Sequence, residues 1–139
     1  MSSHQAILLL GSNLGNTKKN IETAFSLMEE ERIFVLNKSE ILVTEPVEFV
    51  TNNIFCNIAA RTEVSLSPVQ LLCTLKRIEK MMGREADSGI LGRYTDRIID
   101  IDIVYYDNIR FISEKLKIPH EKHVSERDFS KKLLKELGL

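Results

Sequence analysis

The stretch Arg97-Ile98-Ile99-Asp100-Ile101-Asp102-Ile103-Val104-Tyr105-Tyr106 is an apolar, β-branched run with two carboxylates set into it two residues apart. Such a run predicts a buried strand. Because side chains at i and i+2 of a strand share a face, Asp100 and Asp102 should lie side by side. The opposite face should then carry Ile99, Ile101, Ile103 and Tyr105.

Two neighbouring carboxylates in a buried strand repel each other and lose hydration, so they need a compensating cation. Arg97 is one candidate. Mg²⁺ is another, since it is held by one or two carboxylates plus substrate phosphates. An isolated Asp-x-Asp motif more often marks an ordinary strand whose aspartates face water. The rest of the chain must therefore decide between these alternatives.

Length and composition are typical of one globular domain, expected over residues 1–139. A net charge of −1 gives no sign of a nucleic-acid-binding surface. Cys56 and Cys73 lie in apolar segments and are predicted to be buried free thiols, as in a reducing compartment. No signal peptide and no membrane-spanning run is visible, so we expect a cytoplasmic protein.

The predicted elements follow the order strand, helix, strand, strand, helix, strand, with a short strand and a helix after them. A capping box at Ser67-Pro68-Val69-Gln70 and a stop at Gly83 delimit the second helix. This order predicts an α+β fold of the ferredoxin-like βαββαβ type, with helices on one face of an antiparallel sheet and a C-terminal extension. The elements are predicted at residues 5–10, 17–30, 33–44, 54–64, 67–82, 97–106, 109–112 and 130–137, with a mobile loop over 84–96.

Five short polar motifs occur in a fixed order along these elements. They are Gly11-Ser12-Asn13-Leu14-Gly15; Thr44-Glu45-Pro46 with Phe55-Cys56-Asn57; Ile78-Glu79-Lys80-Met81-Met82-Gly83-Arg84; Arg97-Ile98-Ile99-Asp100-Ile101-Asp102; and Pro119-His120. Each motif is weak alone, but together they resemble the 6-hydroxymethyl-7,8-dihydropterin pyrophosphokinase family of folate biosynthesis. The resemblance covers residues 5 to about 129.

The resemblance implies an ATP-dependent pyrophosphokinase. Such an enzyme moves pyrophosphate from ATP to the hydroxymethyl group of a reduced pterin and releases AMP. Asp100 and Asp102 would bind two Mg²⁺ ions, which can clamp the attacking and leaving oxygens of a phosphoryl transfer. The implied partners are small molecules, with no nucleic acid or membrane, and we expect a monomer.

The nucleotide side of the implied site is rich in cations. Arg84 and Arg97 are the implied catalytic arginines, since a guanidinium binds phosphate bidentately and stays charged. From the residues alone, Arg84 could instead stabilise a helix C-terminus, and Arg97 could pair with an aspartate. Glu79 could be plain helix surface, and Pro119-His120 a solvated loop. The implied ATP contacts are Lys76, Glu79, Arg84, Arg97, Ile103, His120 and Arg127.

The pterin side needs aromatic faces and a side-chain amide, because a pterin is flat and has donors and acceptors along its edge. Asn57 supplies a donor and an acceptor. Phe55 and Phe129 match the family's stacking pair, although either could be ordinary core. Gly11-Ser12-Asn13 is interpreted as a structural turn beside this site. The implied pterin contacts are Thr44, Val47, Phe55, Asn57 and Phe129.

The chain departs from the family pattern in a few places. Lys76 stands where many relatives carry glutamine, Glu121 where an aromatic is common, and the segment after His120 is one residue longer. Two rival functions share the predicted fold: an RNA-binding module and a catalytically silent ligand-binding module. Few aromatics and a negative charge disfavour the first. Retention of Arg84, Arg97, Asp100, Asp102 and Asn57 together favours an enzyme over the second.

Overall fold

A computed structural model describes residues 3–44, 55–83 and 98–139 of the chain. Three predicted site residues, Val47, Arg84 and Arg97, lie outside these described residues, and so does the loop predicted over 84–96. The described elements are strands β1 (His4–Ser12), β2 (Phe34–Lys38), β3 (Leu42–Thr44), β4 (Phe55–Val64), β5 (Asp100–Tyr106), β6 (Phe111–Ile112) and β7 (Lys117–Ile118), helices α1 (Thr17–Glu30), α2 (Pro68–Met81) and α3 (Asp128–Glu136), and a π-helix (Lys122–Glu126).

The fold is mixed α/β and is built on an antiparallel sheet, as predicted. The strand order is β2-β4-β1-β5, and β3 also pairs with β4. The segment predicted as one strand over 33–44 is two strands, because Ser39 interrupts it. Its hydroxyl accepts a 2.9 Å hydrogen bond from the backbone N–H of Ala59, so a side chain replaces a rung of the ladder. Strands β6 and β7 form a separate two-stranded ribbon.

Helices α1 and α2 cover one face of the sheet through the apolar stripes expected from their spacing. Asn16 caps α1, and Ser67 and Gln70 form the predicted capping box of α2. Gly83 follows α2 with a φ of +104°, the left-handed conformation that ends many helices and suits glycine. Fully buried side chains of this core include Leu8, Leu10, Ile21, Met28, Leu71, Leu75, Ile78 and Ile101.

The C-terminal helix packs on the opposite face of the sheet. Alternation along β1 sends Ile7 and Leu9 to this second face, where they meet Leu133 and Leu134 of α3. The prediction of helices on one face therefore holds for α1 and α2 alone. The second face matters for function because it is also the face of the two strand aspartates.

Strand β5 carries a bulge at Val104. Ile7 of β1 pairs with Tyr105 and Leu8 with Ile103, so Val104 is skipped in the ladder. Ile101 and Ile103 lie in the helix-side core, whereas Tyr105 packs with the cluster on the second face. The prediction that Tyr105 shares a face with the isoleucines was wrong, because an extra residue in a strand reverses the alternation that follows it.

Three smaller expectations are also corrected. Cys56 is a buried free thiol, but Cys73 is exposed, because it lies on the outer side of α2. Gly11 and Ser12 complete β1 rather than form a turn. The C-terminal helix starts two residues before the predicted position 130. Across the described ranges, the helices are all too short or too polar to cross a membrane.

Candidate active site

Three strands bring a side-chain amide and a carboxylate into one row on the second face of the sheet. Gly11 of β1 pairs with Asn57 of β4 on one side and with Asp100 of β5 on the other. Directly paired residues of antiparallel strands point to the same face. With strands about 4.8 Å apart, the backbones of Asn57 and Asp100 are separated by about 10 Å. Gly11 has no side chain to fill the space between them.

The lack of a side chain at Gly11 is required by the packing around it. A Cβ atom at this position would lie 2.7 Å from Oδ1 of Asn57 and 3.8 Å from Cδ1 of Phe55. Asn57 is 4% exposed, while Phe55 is half-buried. These two predicted pterin contacts therefore lie beside the same glycine.

Asp102 lies two residues along β5 from Asp100, paired with Leu9 of β1. Its carboxylate is partly exposed and accepts a 2.7 Å hydrogen bond at Oδ2 from Nε2 of His123. Nε2 of His120 lies 3.8 Å from the same oxygen. Asp100 and Asp102 therefore share a face, as predicted, and two histidines flank the second of them.

The surroundings of Asp102 favour its ionised form. Burial alone would raise the pKa of this carboxyl. The hydrogen bond and charge of His123, with the charges of His120 and Lys76, outweigh that effect and hold the pKa well below its usual range. Asp102 is therefore a carboxylate at neutral pH.

His120 is held beside Asp102 by the backbone of β5. The backbone N–H of His120 donates a 2.9 Å hydrogen bond to the carbonyl of Val104, the residue at the bulge. Its ring packs against that of His123, with the ring centroids 4.3 Å apart. Burial lowers the pKa of His120, and with the charges of His123 and Arg127 it outweighs the carboxylates of Asp102 and Asp100, which raise the pKa. Near pH 7 the ring is therefore neutral and acts as a hydrogen-bonding group rather than as a cation.

Glu79 is not the helix surface that its spacing allowed. It is 2% exposed, and its Oε2 accepts a 2.7 Å hydrogen bond from the backbone N–H of Ile101. Lys76 lies one turn earlier on α2, with its Nζ 3.4 Å from Oε1 of Glu79. The side chain of Ile103 is enclosed by the helix-side core, which leaves its backbone for any contact with a nucleotide.

The remaining predicted residues lie around this centre. Phe129 of α3 packs with the second-face cluster, and its ring meets that of His123 edge-on at 6.4 Å. Arg127 immediately precedes α3, close enough for its charge to affect His120. The backbone of Thr44 pairs with Phe55 at the end of β3.

Sequence reasoning missed two residues of this centre, His123 and Ser130. Nδ1 of His123 lies 2.6 Å from the hydroxyl of Ser130, and both side chains are buried. A weak signal was present, since His120 and His123 are three residues apart and such residues are neighbours on a helix. No residue pattern in this stretch indicates a helix.

The donor set suits a hard divalent cation. Asp100 and Asp102 offer carboxylate oxygens from one strand face, and Mg²⁺ prefers oxygen ligands. Asp102 is already ionised, so no proton has to leave before it binds a cation. These residues therefore fit Mg²⁺.

Residues 7–138 match the family model of 7,8-dihydro-6-hydroxymethylpterin-pyrophosphokinase. The chain belongs to this family. It is 30% identical over 116 residues to the Bacillus subtilis 2-amino-4-hydroxy-6-hydroxymethyldihydropteridine pyrophosphokinase, covering 83% of this chain and 67% of that protein. It is 42% identical over 125 residues to an Arabidopsis thaliana folate synthesis bifunctional protein, covering 90% of this chain.

Solved structures agree with the family's fold. A crystal structure of wild-type Plasmodium falciparum HPPK-DHPS with STZ-DHP superposes with a TM-score of 0.69 at 18% identity, over 97% of this chain and 40% of that one. This pyrophosphokinase-family chain spans only 25% of the length of the Arabidopsis relative.

Proposed function

We propose that this protein transfers pyrophosphate from ATP to 6-hydroxymethyl-7,8-dihydropterin, forming AMP and the pterin diphosphate in folate biosynthesis. The observation that carries the proposal is the row Asn57, Gly11 and Asp100, which places an amide and a carboxylate on one sheet face with only a glycine between them. Family membership and the names of the relatives support the same reaction.

The pterin is proposed to bind at the Asn57 end of this row. The amide of Asn57 can donate to and accept from the polar edge of the ring. Phe55 lies beside the same glycine and offers an aromatic face. The proposed contacts at this end are Thr44, Val47, Phe55, Asn57 and Phe129.

The triphosphate is proposed to bind at the β5 end, where Asp100 and Asp102 would hold two Mg²⁺ ions. Bound there, the ions would neutralise phosphate charge and activate the pterin hydroxyl. The neutral ring of His120 can donate a hydrogen bond to a phosphate oxygen. Cationic side chains then complement the remaining charge. The proposed nucleotide contacts are Lys76, Glu79, Arg84, Arg97, Ile103, His120 and Arg127, with Arg84 and Arg97 also catalytic.

The proposed reaction follows from the relative positions of the pterin and the triphosphate along this row. The hydroxymethyl oxygen of a pterin near Asn57 would approach phosphates held at Asp100 and Asp102. Attack on the β-phosphorus breaks its bond to the oxygen that bridges it to the α-phosphorus. AMP then leaves with that oxygen, and the pterin gains both terminal phosphoryl groups.

The test is a product assay. The protein is incubated with ATP, Mg²⁺ and 6-hydroxymethyl-7,8-dihydropterin, and the nucleotides are resolved by chromatography. We expect AMP that depends on the pterin. ADP as the pterin-dependent product would overturn the reaction class, and no pterin-dependent turnover would favour a silent ligand-binding module.

Several organisational features are proposed along with this activity. The strand order β2-β4-β1-β5 supports a ferredoxin-like sheet, with α3 as the C-terminal extension. We propose a single pyrophosphokinase domain over residues 1–139 that acts as a monomer. Free cysteines support a reducing, cytoplasmic compartment. Because one Arabidopsis relative is named as mitochondrial, cell fractionation is the direct test.

A further inference from the structure

We propose that His123 is a positioning residue that orients the carboxylate of Asp102 toward the divalent cation. The cation's role rests on the proposed function. The contact itself is a hydrogen bond of 2.7 Å between Nε2 of His123 and Oδ2 of Asp102. His123 is 1% exposed, so the donor side of this bond is shielded from bulk solvent.

The direction of the bond follows from the chemistry of its partners. An ionised carboxylate can only accept, so Nε2–H of His123 is the donor. The Ser130 hydroxyl, 2.6 Å from Nδ1, is the partner of the other ring nitrogen. With Oδ2 of Asp102 held in this way, the direction of Oδ1 is fixed as well. Carboxylates that bind a metal are commonly oriented by hydrogen bonds from neighbouring side chains that do not touch the metal.

Packing holds the imidazole of His123 in place. The ring of His120 covers it at a centroid distance of 4.3 Å, and Phe129 meets it edge-on at 6.4 Å. Phe129 and Ser130 belong to α3, while Asp102 belongs to β5. The C-terminal helix therefore reaches the cation-binding strand through His123.

Two other interpretations of the cluster fit its geometry less well. Ser130, His123 and Asp102 form a serine–histidine–aspartate chain, but Ser130 is 0% exposed, so no substrate can reach its hydroxyl. Asp102, His120 and His123 could also be metal ligands, since their ligand atoms lie within 4.8 Å of one another. Zinc at about 2.0–2.1 Å from each ligand would space tetrahedral ligands about 3.3 Å apart. The 2.7 Å separation of His123 and Asp102 instead suits a shared proton.

A matched pair of amides tests the positioning role. His123→Gln places its NH₂ near the position of Nε2 and can still donate to Asp102. His123→Asn places it near Nδ1 and can reach only Ser130. Urea unfolding establishes that both variants are folded. His4→Gln is the control, since His4 lies outside the site and pairs with Asp107.

Two measurements then decide the proposal. Mn²⁺ binding in the presence of a non-hydrolysable ATP analogue, followed by electron paramagnetic resonance, needs no turnover. The Mg²⁺ concentration that gives half-maximal AMP formation provides the second measurement. For His123→Asn we expect the Kd for Mn²⁺ and the half-maximal Mg²⁺ concentration each to rise at least about tenfold. The KM for the pterin should change less than about threefold. His123→Gln should stay within about threefold of the unsubstituted protein.

The outcomes separate this proposal from the proposed function. Equal effects of the two substitutions would overturn the positioning role, and so would unchanged Mn²⁺ binding in folded His123→Asn. Tight Zn²⁺ binding without nucleotide, lost in both variants, would overturn it by making His123 a metal ligand. If the unsubstituted protein makes no AMP, the proposed function fails. The Mn²⁺ measurement then still decides whether His123 positions Asp102, and absent Mn²⁺ binding would overturn both.

Discussion

The carboxylate of Glu79 on α2 accepts a 2.7 Å hydrogen bond from the backbone N–H of Ile101 on β5, between the two strand aspartates. Glu79 is buried, and Lys76 of the same helix lies 3.4 Å from its other oxygen. A buried carboxylate is costly unless it is paired and hydrogen-bonded, and here both conditions are met. The contact fastens α2 to the strand that carries Asp100 and Asp102.

Replacing Glu79 by alanine should destabilise the protein. The substitution removes the acceptor of a charge-assisted hydrogen bond and leaves the N–H of Ile101 buried without that partner. We expect the free energy of unfolding in urea to fall by about 2–3 kcal/mol. Lys80→Ala, on the exposed side of the same helix, should change it by less than about 0.5 kcal/mol. Similar values for the two variants would mean that Glu79 does not hold β5.

Replacing Gly11 by alanine should weaken pterin binding. The new Cβ would lie 2.7 Å from Oδ1 of Asn57, so the amide would have to leave its position. We expect affinity for 6-hydroxymethyl-7,8-dihydropterin to fall at least tenfold, or about 1.4 kcal/mol. Affinity for a non-hydrolysable ATP analogue should change far less. Isothermal titration calorimetry measures both.

Asn57→Ala provides the partner for a double-mutant cycle. Alone it should weaken pterin binding, because the amide's hydrogen bonds to the ligand are lost. In that background Gly11→Ala should cost little more, since the crowded oxygen is gone. Full additivity, or equal losses for pterin and nucleotide, would show that the two residues serve the sheet rather than the ligand.

Asp100→Asn should nearly abolish pterin-dependent AMP formation while leaving the fold intact. The substitution keeps the shape of the side chain but removes one charge from the proposed cation site. We expect turnover to fall at least about 100-fold, or ~2.7 kcal/mol of barrier. Asp107→Asn makes the same chemical change in the turn that follows β5, outside the site, and should retain activity. Normal turnover by Asp100→Asn would contradict its role as a metal ligand.

Asp107 should make stability depend on pH at the other end of β5. Its Oδ1 accepts a 2.8 Å hydrogen bond from the backbone N–H of Gln5, and its Oδ2 lies 2.6 Å from Nδ1 of His4. These contacts, the backbone bond first, lower the pKa of Asp107. Because the folded pKa lies below the unfolded value of about 3.9, the stabilisation is present above that pH and is lost as pH falls through the folded value.

Asp107→Asn isolates this effect, because asparagine also tolerates the left-handed φ of +48° at this position. Since the pair is partly exposed, the loss in free energy of unfolding at pH 7 should be at most about 1 kcal/mol. Urea curves recorded from pH 7 down to about pH 2 should show the difference shrinking below about pH 4. A difference that stays constant with pH would exclude an electrostatic origin.

The bounds of the first two helices and the common face of the strand aspartates can be predicted from patterns within a few neighbouring residues. Helix α1 was predicted at its observed bounds because its apolar residues recur at helical spacing. The capping box of α2 and its glycine stop are likewise encoded within a few residues. The common face of Asp100 and Asp102 follows from the two-residue period of a strand, and the pairing with Gly11 and Leu9 confirms it.

The features that were missed depend on tertiary contacts. The bulge at Val104 follows from the pairing of β5 with β1. The sequence of β5 alone therefore does not indicate that Tyr105 lies on the other face. Burial of Glu79 requires β5 to pack against α2. The contact between His123 and Asp102 joins residues 21 positions apart, and it lies where the chain after β5 returns over the second face of the sheet. Periodicity cannot report such contacts.

Strand β5 is the outer strand of the sheet within the described ranges, and two backbone groups at its outer edge already have hydrogen-bond partners. An open edge offers hydrogen-bonding groups that strands of neighbouring chains can use, which is a common start of aggregation. Here the amide of Ile101 is already taken by Glu79 and the carbonyl of Val104 by the backbone of His120. The bulge also bends the strand away from the straight template that a foreign strand would need. The contacts that assemble the proposed catalytic centre therefore also leave fewer backbone groups at this edge for a strand of another chain to pair with.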